Sequence, residues 1–425
     1  MTLDLLRFTT AGSVDDGKST LIGRLLYDSK QVFEDQLAHV AQASERRGGE
    51  GTLDLALLTD GLRAEREQGI TIDVAYRYFA TAKRRFIIAD CPGHRQYTRN
   101  MVTGASTADV AVVLIDARRG VLEQSKRHAF ISALLGIPQM VVAINKMDLV
   151  DYSQARYEEL VEEFEAFARK LRGGKNPRRT ETSYIPMSAL NGDNVVERSQ
   201  LMAWYDGPVL LELLEQVEVA YDHPDEKPAR FPVQWVIRPA NGGGDYRGYS
   251  GQLASGALRL GDEVAVLPSG ARTRIAGIDT YDGELEEAMA PMSLTLRLED
   301  ELDVSRGELI CHPDEAPAVA RELQADICWM TDELLRPGSR YVIKQTSHSA
   351  MAVIDAIDDM VDVHTLERMA APQELGLNDI GRVRLRTSAP LVFDPYTANR
   401  RTGSFILIDE SSNGTVGAGM IASAP

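Results

Sequence analysis

The segment Gly12-Ser-Val-Asp-Asp-Gly17-Lys18-Ser19 has the residue spacing of a phosphate-binding loop, GxxxxGK[ST]. An apolar run precedes it and an amphipathic stretch follows, so we expect a strand, a loop and a helix in that order. Backbone N–H groups of the loop and the positive end of the helix would then bind phosphate. Lys18 is expected to reach the β and γ phosphates, and Ser19 to ligate Mg²⁺. The residues predicted to bind nucleotide here are Gly12, Ser13, Val14, Asp15, Asp16, Gly17, Lys18, Ser19 and Thr20.

The tetrapeptide Asn145-Lys-Met-Asp148 indicates which base is bound, because it follows the apolar run Met140–Ile144. The carboxylate of Asp148 can accept from both N1–H and the 2-amino group of guanine, a donor pair that adenine lacks. We expect the stem of Lys146 to lie over the base. A later segment, 188–190, can offer a backbone N–H to guanine O6. The predicted base site consists of Asn145, Lys146, Met147, Asp148, Ser188, Ala189 and Leu190.

A second phosphate-contacting segment ends the apolar run Arg85–Ala89. Asp90 can hold a Mg²⁺ water, and the backbone N–H of Gly93 can contact the γ phosphate, so that the segment senses this phosphate. His94 follows directly, which favours positioning of the attacking water over a purely structural role. Cys91 is interpreted as a small buried residue without a redox function. The predicted nucleotide contacts of the segment are Asp90, Cys91, Pro92, Gly93 and His94.

The segment 65–72 lies between these two phosphate-contacting loops. Its Thr71 can close over Mg²⁺ and the γ phosphate as a first switch. We therefore expect Ser19, Thr71 and Asp90 to serve as metal ligands. The residues expected to act in phosphoryl transfer to water are Lys18, Thr71 and His94.

The carboxylates of Asp15 and Asp16 should repel a triphosphate unless a cation intervenes or the side chains point away. One hypothesis is that Asp15 helps to hold a monovalent cation against the phosphates. The other is an outward side chain that bonds to N–H groups of the loop. The sequence leaves both open.

The composition of the chain disfavours several other classes of function. The 425 residues carry 46 Lys and Arg against 63 Asp and Glu, a net charge of −17 that disfavours non-specific binding to nucleic acid or anionic membranes. The three cysteines fit neither a disulfide framework nor a zinc pattern. The N-terminus lacks the layout of a signal peptide, and the longest apolar runs are shorter than a membrane span. We expect a soluble, cytoplasmic protein.

The chain changes character near residue 225. Before it, short apolar runs alternate with helix-like stretches, which predicts an α/β domain with a mostly parallel sheet. After it, short strand-like runs are separated by Gly-rich turns, which predicts a small barrel or sandwich and then a further mostly β region. The predicted domains are 1–225, 226–316 and 317–425. We interpret the acidic stretch Asp355–Asp362 as a solvated face, and Ser411–Ile421 as either a final hairpin or a mobile tail.

Several runs carry a resemblance to a known family. Gly12-Ser-Val-Asp, Gly69-Ile-Thr-Ile and Asp90-Cys-Pro-Gly-His resemble GTPases of the translation-factor class, such as elongation factor Tu. That class implies a P-loop GTPase domain followed by two β-barrel domains, with Val14 and Ile70 as an apolar gate beside His94. The runs 25–31, 54–73 and 97–101 resemble more closely the large, GTPase subunit family of bacterial ATP sulfurylase.

This closer resemblance implies GTP and Mg²⁺ as ligands and a smaller catalytic subunit as partner. The two would form a heterodimer, with a higher oligomer left open, in which GTP hydrolysis drives the synthesis of adenosine 5′-phosphosulfate and pyrophosphate from ATP and sulfate. The sequence contains no second phosphate-loop pattern, which a fused adenylylsulfate kinase would need, and no Ser-Gly-Gly-x-Asp-Ser signature of ATP-pyrophosphatase folds. The chemistry on ATP and sulfate is therefore expected on another chain. An elongation factor Tu-like protein that binds tRNA and the ribosome is the alternative. A GTP-binding scaffold without turnover is a third, which the presence of His94 disfavours.

Overall fold

The apolar run that begins at Val110 forms the centre of the first sheet. All seven residues of strand β4 (Val110–Asp116) are buried, as in a strand covered on both faces. The computed structural model describes residues 4–30, 55–58, 73–94, 97–173, 180–218, 227–238, 246–362, 365–370 and 372–424. Within this part, the chain divides into two compact units, Met1–Val219 with Val363–Leu366, and Ala220–Asp362 with Glu367–Pro425.

The first unit is an α/β domain. Its strands are β1 (Asp4–Ala11), β2 (Ala75–Ala80), β3 (Arg84–Asp90), β4, β5 (Gln139–Asn145) and β6 (Glu181–Pro186). Its helices are α1 (Lys18–Asp28), α2 (Thr98–Ala105), α3 (Glu123–Leu134), α4 (Gln154–Gly173) and α5 (Leu210–Gln216). The sheet order is β2-β3-β1-β4-β5-β6, and only the edge strand β2 runs antiparallel to its neighbour. The mostly parallel sheet predicted from the sequence is confirmed.

The register of this sheet brings the ends of its strands together. Thr10 of β1 pairs with Asp90 of β3, and Asp116 of β4 pairs with Asn145 of β5. The carboxyl ends of parallel strands meet at one edge, which is where α/β proteins bind ligands. The loops after β1, β3, β5 and β6, which carry the predicted site, therefore leave the sheet from the same edge.

The second unit contains two closed antiparallel barrels. The strands of the first are β7 (Phe231–Ile237), β8 (Gly248–Gln252), β9 (Ala257–Arg259), β10 (Glu263–Leu267), β11 (Ala271–Thr280), β12 (Gly283–Leu285), β13 (Glu287–Met289), β14 (Ser293–Leu298) and β15 (Leu309–Cys311). The order β10-β15-β7-β8-β14-β11 closes on itself through the β10–β11 pair, while β9 and β13 pair separately. Closure leaves no open edge on the ring.

The second barrel repeats this closure with longer strands. They are β16 (Ala318–Trp329), β17 (Arg340–Gln345), β18 (His348–Val361), β19 (Arg368–Ala370), β20 (Ile380–Phe393), β21 (Ser404–Ile408) and β22 (Thr415–Ser423). The ring β17-β21-β22-β16-β20-β18 closes through the β17–β18 pair. A bidentate ion pair joins the barrels: Arg230, 3% exposed, donates to Asp394 at 2.8 and 2.9 Å. The expectation of two β barrels is confirmed.

Two local predictions are resolved by the strands. The C-terminal run is a hairpin and not a tail, because β21 pairs with β22. Most of the acidic stretch Asp355–Asp362 lies within β18, where Asp355 is exposed, as expected of a solvated face, and carboxylates of the stretch also pair with arginines. Asp355 accepts from Arg386, and Asp358 accepts from Arg384, both on the neighbouring strand β20.

No helix among the described residues is long and apolar enough to cross a membrane. The three-domain boundaries remain a prediction, and the first falls within residues 219–226, outside the described part.

Candidate guanine nucleotide site

The loop between β1 and α1 has a backbone that few residues adopt without strain. Gly12 and Gly17 have φ values of 145° and 94°, and Asp15 has a φ of 67°. Such turns direct successive N–H groups towards one point, which suits an anion. The side chain of Lys18 is buried and its Nζ donates to the carbonyls of Gly12 (3.2 Å) and Ser13 (2.8 Å). Burial lowers the pKa of Lys18, and the charges of Asp90 and Asp16 oppose this shift.

The two predicted carboxylates of the loop lie in different environments. Asp15 is exposed, and its carbonyl oxygen accepts from Nζ of Lys146. Asp16 is 1% exposed, and it is the carboxylate of Asp16 that bonds to an N–H of the loop, that of Ser13. The turned-away carboxylate is therefore Asp16, whereas the hypotheses concerned Asp15. The remaining loop residues, Val14, Ser19 and Thr20, are partly exposed.

The segment that ends β3 packs directly on the phosphate loop. Asp90 is buried and accepts from Oγ1 of Thr10 at 3.1 Å. A Cβ on Gly93 would lie 2.5 Å from Nζ of Lys18 and 2.9 Å from the carbonyl oxygen of Gly12, so only glycine allows this approach. Pro92 is buried as well. The geometry brings the two predicted phosphate-contacting loops into contact.

Cys91 is buried and does not have the environment of a reactive thiol. Its Sγ lies 3.1 Å from the hydroxyl of Thr9, and a Cβ on Gly104 of α2 would lie 2.5 Å from it. Burial raises the pKa of Cys91 to about 12, so the thiolate needed for redox chemistry does not form near neutral pH.

His94 is exposed at the end of this segment, just before α2. Its carbonyl accepts from the backbone N–H of Tyr97 at 2.9 Å, and the two rings lie 6.0 Å apart between centroids. The imidazole is exposed beside Gly93, and its role in positioning water stays a prediction. Thr71 and Ile70, expected to complete this part of the site, lie outside the described residues.

Asn145 connects three loops through one side chain. Its Nδ2 donates to the carbonyl of Asp16 (2.8 Å), and its Oδ1 accepts from the backbone N–H of Ala189 (2.9 Å). A Cβ on Gly17 would lie 2.4 Å from Nδ2, so the phosphate loop and the base loop pack without a gap. Asn145 is 1% exposed, and both hydrogen bonds are shielded from water.

Lys146 is held beside the phosphate loop by a carboxylate that sequence reasoning missed. Its Nζ lies 3.0 Å from Oδ2 of Asp116, whose side chain is fully buried. Arg118 also binds Asp116, at 2.7 and 3.1 Å. Burial alone would raise the pKa of Asp116, but these cations hold it well below its usual range. The available signal was an Asp at the end of a buried strand, the same position that Asp90 and Asn145 occupy.

Asp148 carries the observation most specific to a base. Its Oδ1 is shielded from solvent and has no hydrogen-bond partner among the described residues. A shielded acceptor without a donor is costly, and the N1–H and 2-amino groups of guanine would satisfy it. The preceding residue, Met147, is buried and donates its backbone N–H to Met187 at 3.2 Å.

The loop after β6 lies against Asn145, as expected, but much of its backbone is already bonded. The N–H of Ser188 donates to Asp193 (3.2 Å), and that of Ala189 donates to Asn145. Arg24 of α1 donates to the carbonyls of Ala189 and Leu190. Of the three predicted donors, these bonds leave Leu190 as the better candidate for guanine O6.

The donors available for Mg²⁺ are the hydroxyl of Ser19 and the carboxylate of Asp90, which are hard oxygen ligands of the kind that Mg²⁺ prefers. No cluster of three or more His, Cys, Asp or Glu side chains suited to a metal lies in the described part of the chain. Such a cluster is not needed, because Mg²⁺ at nucleotide sites takes most of its ligands from phosphates and water. The residues present fit the ion.

Comparison with known proteins agrees with this geometry. The family model described as Elongation factor Tu GTP binding domain matches residues 3–222, and GTP-eEF1A C-terminal domain-like matches residues 322–422. A protein from Vibrio vulnificus (strain CMCP6) named Sulfate adenylyltransferase subunit 1 is 54% identical over 422 residues, which cover 98% of this chain and 86% of that protein. The chain belongs to the sulfate adenylyltransferase subunit 1 family.

A second relative of this chain, from Mycobacterium tuberculosis (strain CDC 1551 / Oshkosh), is named Bifunctional enzyme CysN/CysC. It is 56% identical over 419 residues, which cover 98% of this chain and 67% of that protein. A solved structure of Sup35 complexed with GDP covers 100% of this chain and 95% of that chain, at 24% identity and a TM-score of 0.45. The two relatives that are 54% and 56% identical favour the sulfurylase interpretation over the translation factor.

His128 also supports the phosphate loop, through a hydrogen bond to its backbone, and was not among the predicted site residues. Nδ1 of His128, on α3, accepts the backbone N–H of Gly12 at 3.0 Å. Nε2 then carries the proton of the neutral ring; it lies 2.8 Å from the side-chain amide of Gln124 and can donate to it when the amide is oriented with its oxygen towards the ring. Burial, together with the charges of Lys18 and Arg127, lowers the pKa of His128 to about 3. A histidine on an otherwise ordinary helix gives no local signal of this contact.

We predict that Asp148→Asn exchanges the base preference. The amide replaces the shielded acceptor by a donor, so the affinity for GTP should fall by roughly 10² or more while XTP becomes the better ligand. Titration calorimetry with both nucleotides measures this directly. Asp151→Asn, which makes the same change at an exposed neighbour, is the control and should keep the GTP preference. An Asp148→Asn variant that still prefers GTP would remove Asp148 from base recognition.

We also predict that His128 makes stability depend on pH. Its pKa of about 3 lies below the ordinary value of 6.5, so the unfolded chain binds the proton first. The contribution of the neutral His128 ring to the free energy of unfolding is therefore complete above pH 6.5. It falls as the pH is lowered towards 3, by at most about 1.4 kcal/mol per pH unit. Urea unfolding at pH 7, 6 and 5 should show a shallower pH dependence for His128→Asn than for the wild type. Equal slopes would contradict the assignment.

Proposed function

We propose that this chain binds GTP in the site described above and hydrolyses it, and that hydrolysis drives adenylyl transfer on a partner subunit. In that reaction ATP and sulfate give adenosine 5′-phosphosulfate and pyrophosphate. Membership of the subunit 1 family supports the reaction class. The shielded Oδ1 of Asp148 is the observation that carries the choice of guanine, because it lies in the loop that Asn145 joins to the phosphate loop.

The proposed mechanism is phosphoryl transfer to water. Lys18 neutralises charge that develops on the phosphates, and its buried position strengthens this interaction. Ser19, Asp90 and Thr71 would hold Mg²⁺, which would supply further neutralisation of phosphate charge when bound. His94 orients the attacking water from the solvent side. Because position 93 is glycine, its backbone lies close to Nζ of Lys18. The N–H of Gly93 and the ammonium of Lys18 can then contact the same phosphate.

The proposed partner is a smaller catalytic subunit that binds ATP and sulfate. The name subunit 1, carried by a relative with 54% identity, supports a second subunit. We propose a heterodimer in the cytoplasm, where the three free cysteines would stay reduced. A higher oligomer is an extension of the same proposal.

Asp15 is the proposed ligand of a monovalent cation near the phosphates. Its exposed carboxylate and its positive φ turn place charge at the mouth of the loop, where a cation would offset repulsion from a triphosphate. GTPase rates measured in K⁺, Na⁺ and Li⁺ should then differ. Identical rates in the three salts would leave Asp15 without this role.

The decisive experiment for the proposed function measures GTP hydrolysis under three conditions: alone, with ribosomes, and with the catalytic subunit, ATP and sulfate. Hydrolysis should increase only in the third condition, and adenosine 5′-phosphosulfate should accumulate with it. Replacing GTP by a non-hydrolysable analogue is the control and should prevent the accumulation. Stimulation by ribosomes alone would instead identify a translation factor.

We predict that His94→Ala slows GTP hydrolysis by about 10²–10⁴, because the water loses its positioning group. The affinity for GTP, measured with a fluorescent analogue, should stay within about twofold, since the imidazole is exposed and lies outside the base and phosphate loops. Hydrolysis at nearly the wild-type rate would show that another group positions the water.

A further inference from the structure

Asp16 is a buried carboxylate inside a loop built for anions. Its side chain turns back into the loop, and Oδ2 accepts the backbone N–H of Ser13 at 2.5 Å. A Cβ on Gly12 would lie 3.1 Å from Oδ2 and 2.9 Å from the carbonyl of Leu114, so glycine at position 12 provides the room that the carboxylate needs. Oδ1 is shielded from solvent and has no hydrogen-bond partner among the described residues.

The position of Asp16 is fixed from outside the loop as well. Its own backbone carbonyl accepts Nδ2 of Asn145 at 2.8 Å, so the backbone of Asp16 is tied to the base loop. With its backbone tied in this way and its carboxylate bonded to Ser13, Asp16 occupies a loop N–H that a bound phosphate could otherwise use.

Asp16 also acts on Lys18. The ammonium of Lys18 is buried, so it needs counter-charge whether or not a phosphate is near. Asp90 and Asp16 are the two largest favourable charges that act on it. A bound triphosphate would take over that role, and it would then lie within the repulsive field of the Asp16 carboxylate.

We propose that Asp16 is an internal competitor of the nucleotide's phosphates, a positioning residue that acts through Ser13 N–H and Lys18. It stabilises the nucleotide-free chain, and it weakens the hold on GDP and so speeds its release. Turnover would then need less help from an external exchange protein. The inference depends on the proposed binding of guanine nucleotide and not on the coupling to adenylyl transfer.

The test is the dissociation rate of a fluorescent GDP from the full chain carrying Asp16→Asn. The amide oxygen can still accept from Ser13, so the variant removes the charge and keeps this contact. We expect GDP release to slow by about tenfold. The melting temperature of the nucleotide-free variant should fall, because Lys18 loses a counter-charge, while that of the GDP-loaded variant should not. Glu162→Gln, which removes the same charge from an exposed position on α4, is the control and should leave release unchanged.

Release as fast as in the wild type, or faster, would overturn the proposal. An equal slowing in the Glu162→Gln control would also overturn it, because the effect would then follow net charge and not the Asp16 contacts. If Asp16→Asn does not fold, Asp16→Ser keeps an uncharged acceptor in a smaller side chain and carries the same measurement. Failure of the wild type to bind GDP would instead refute the proposed function.

Discussion

The side chain of Asn145 is the interaction on which the site depends. One buried amide joins the phosphate loop, at the carbonyl of Asp16, to the loop after β6, at the N–H of Ala189. The amide therefore bonds to the main chain of both loops where three segments meet. Because both bonds are shielded from water, loss of the side chain would leave a donor and an acceptor unsatisfied.

The sheet of the first unit places Asn145 at this position, at the end of β5. A parallel sheet whose central strand is buried on both faces delivers β1, β3, β5 and β6 to one edge, so that their loops converge. Charged side chains lie in pairs around the point where these loops meet. Asp116 binds Lys146 and Arg118, while Asp16 and Asp90 compensate Lys18. His128 supports the loop from behind as a neutral ring. Each buried charge has an opposite neighbour, which is the condition for keeping it buried.

Sequence patterns predicted this architecture well where the pattern is local. The apolar runs of β1, β4 and β5, and the loops that follow them, could be read directly because burial on both faces leaves continuous apolar runs. The contacts of Asp116 and His128 could not, because each is created by register between distant segments. The inward turn of Asp16 also escaped prediction, since two adjacent carboxylates look alike until the backbone turn separates them. Thr71 lies outside the described residues, so its expected role stays a prediction.

The measurement that tests this account most directly is the affinity of Asn145→Ala for GTP and for ITP, which lacks the 2-amino group. If Asn145 acts by holding the loops together, both affinities should fall by the same factor, about 10² or more, because two buried hydrogen bonds are lost. The discrimination between GTP and ITP, which belongs to Asp148, should be unchanged. Unaltered affinities, or a loss for GTP alone, would contradict the central role of Asn145.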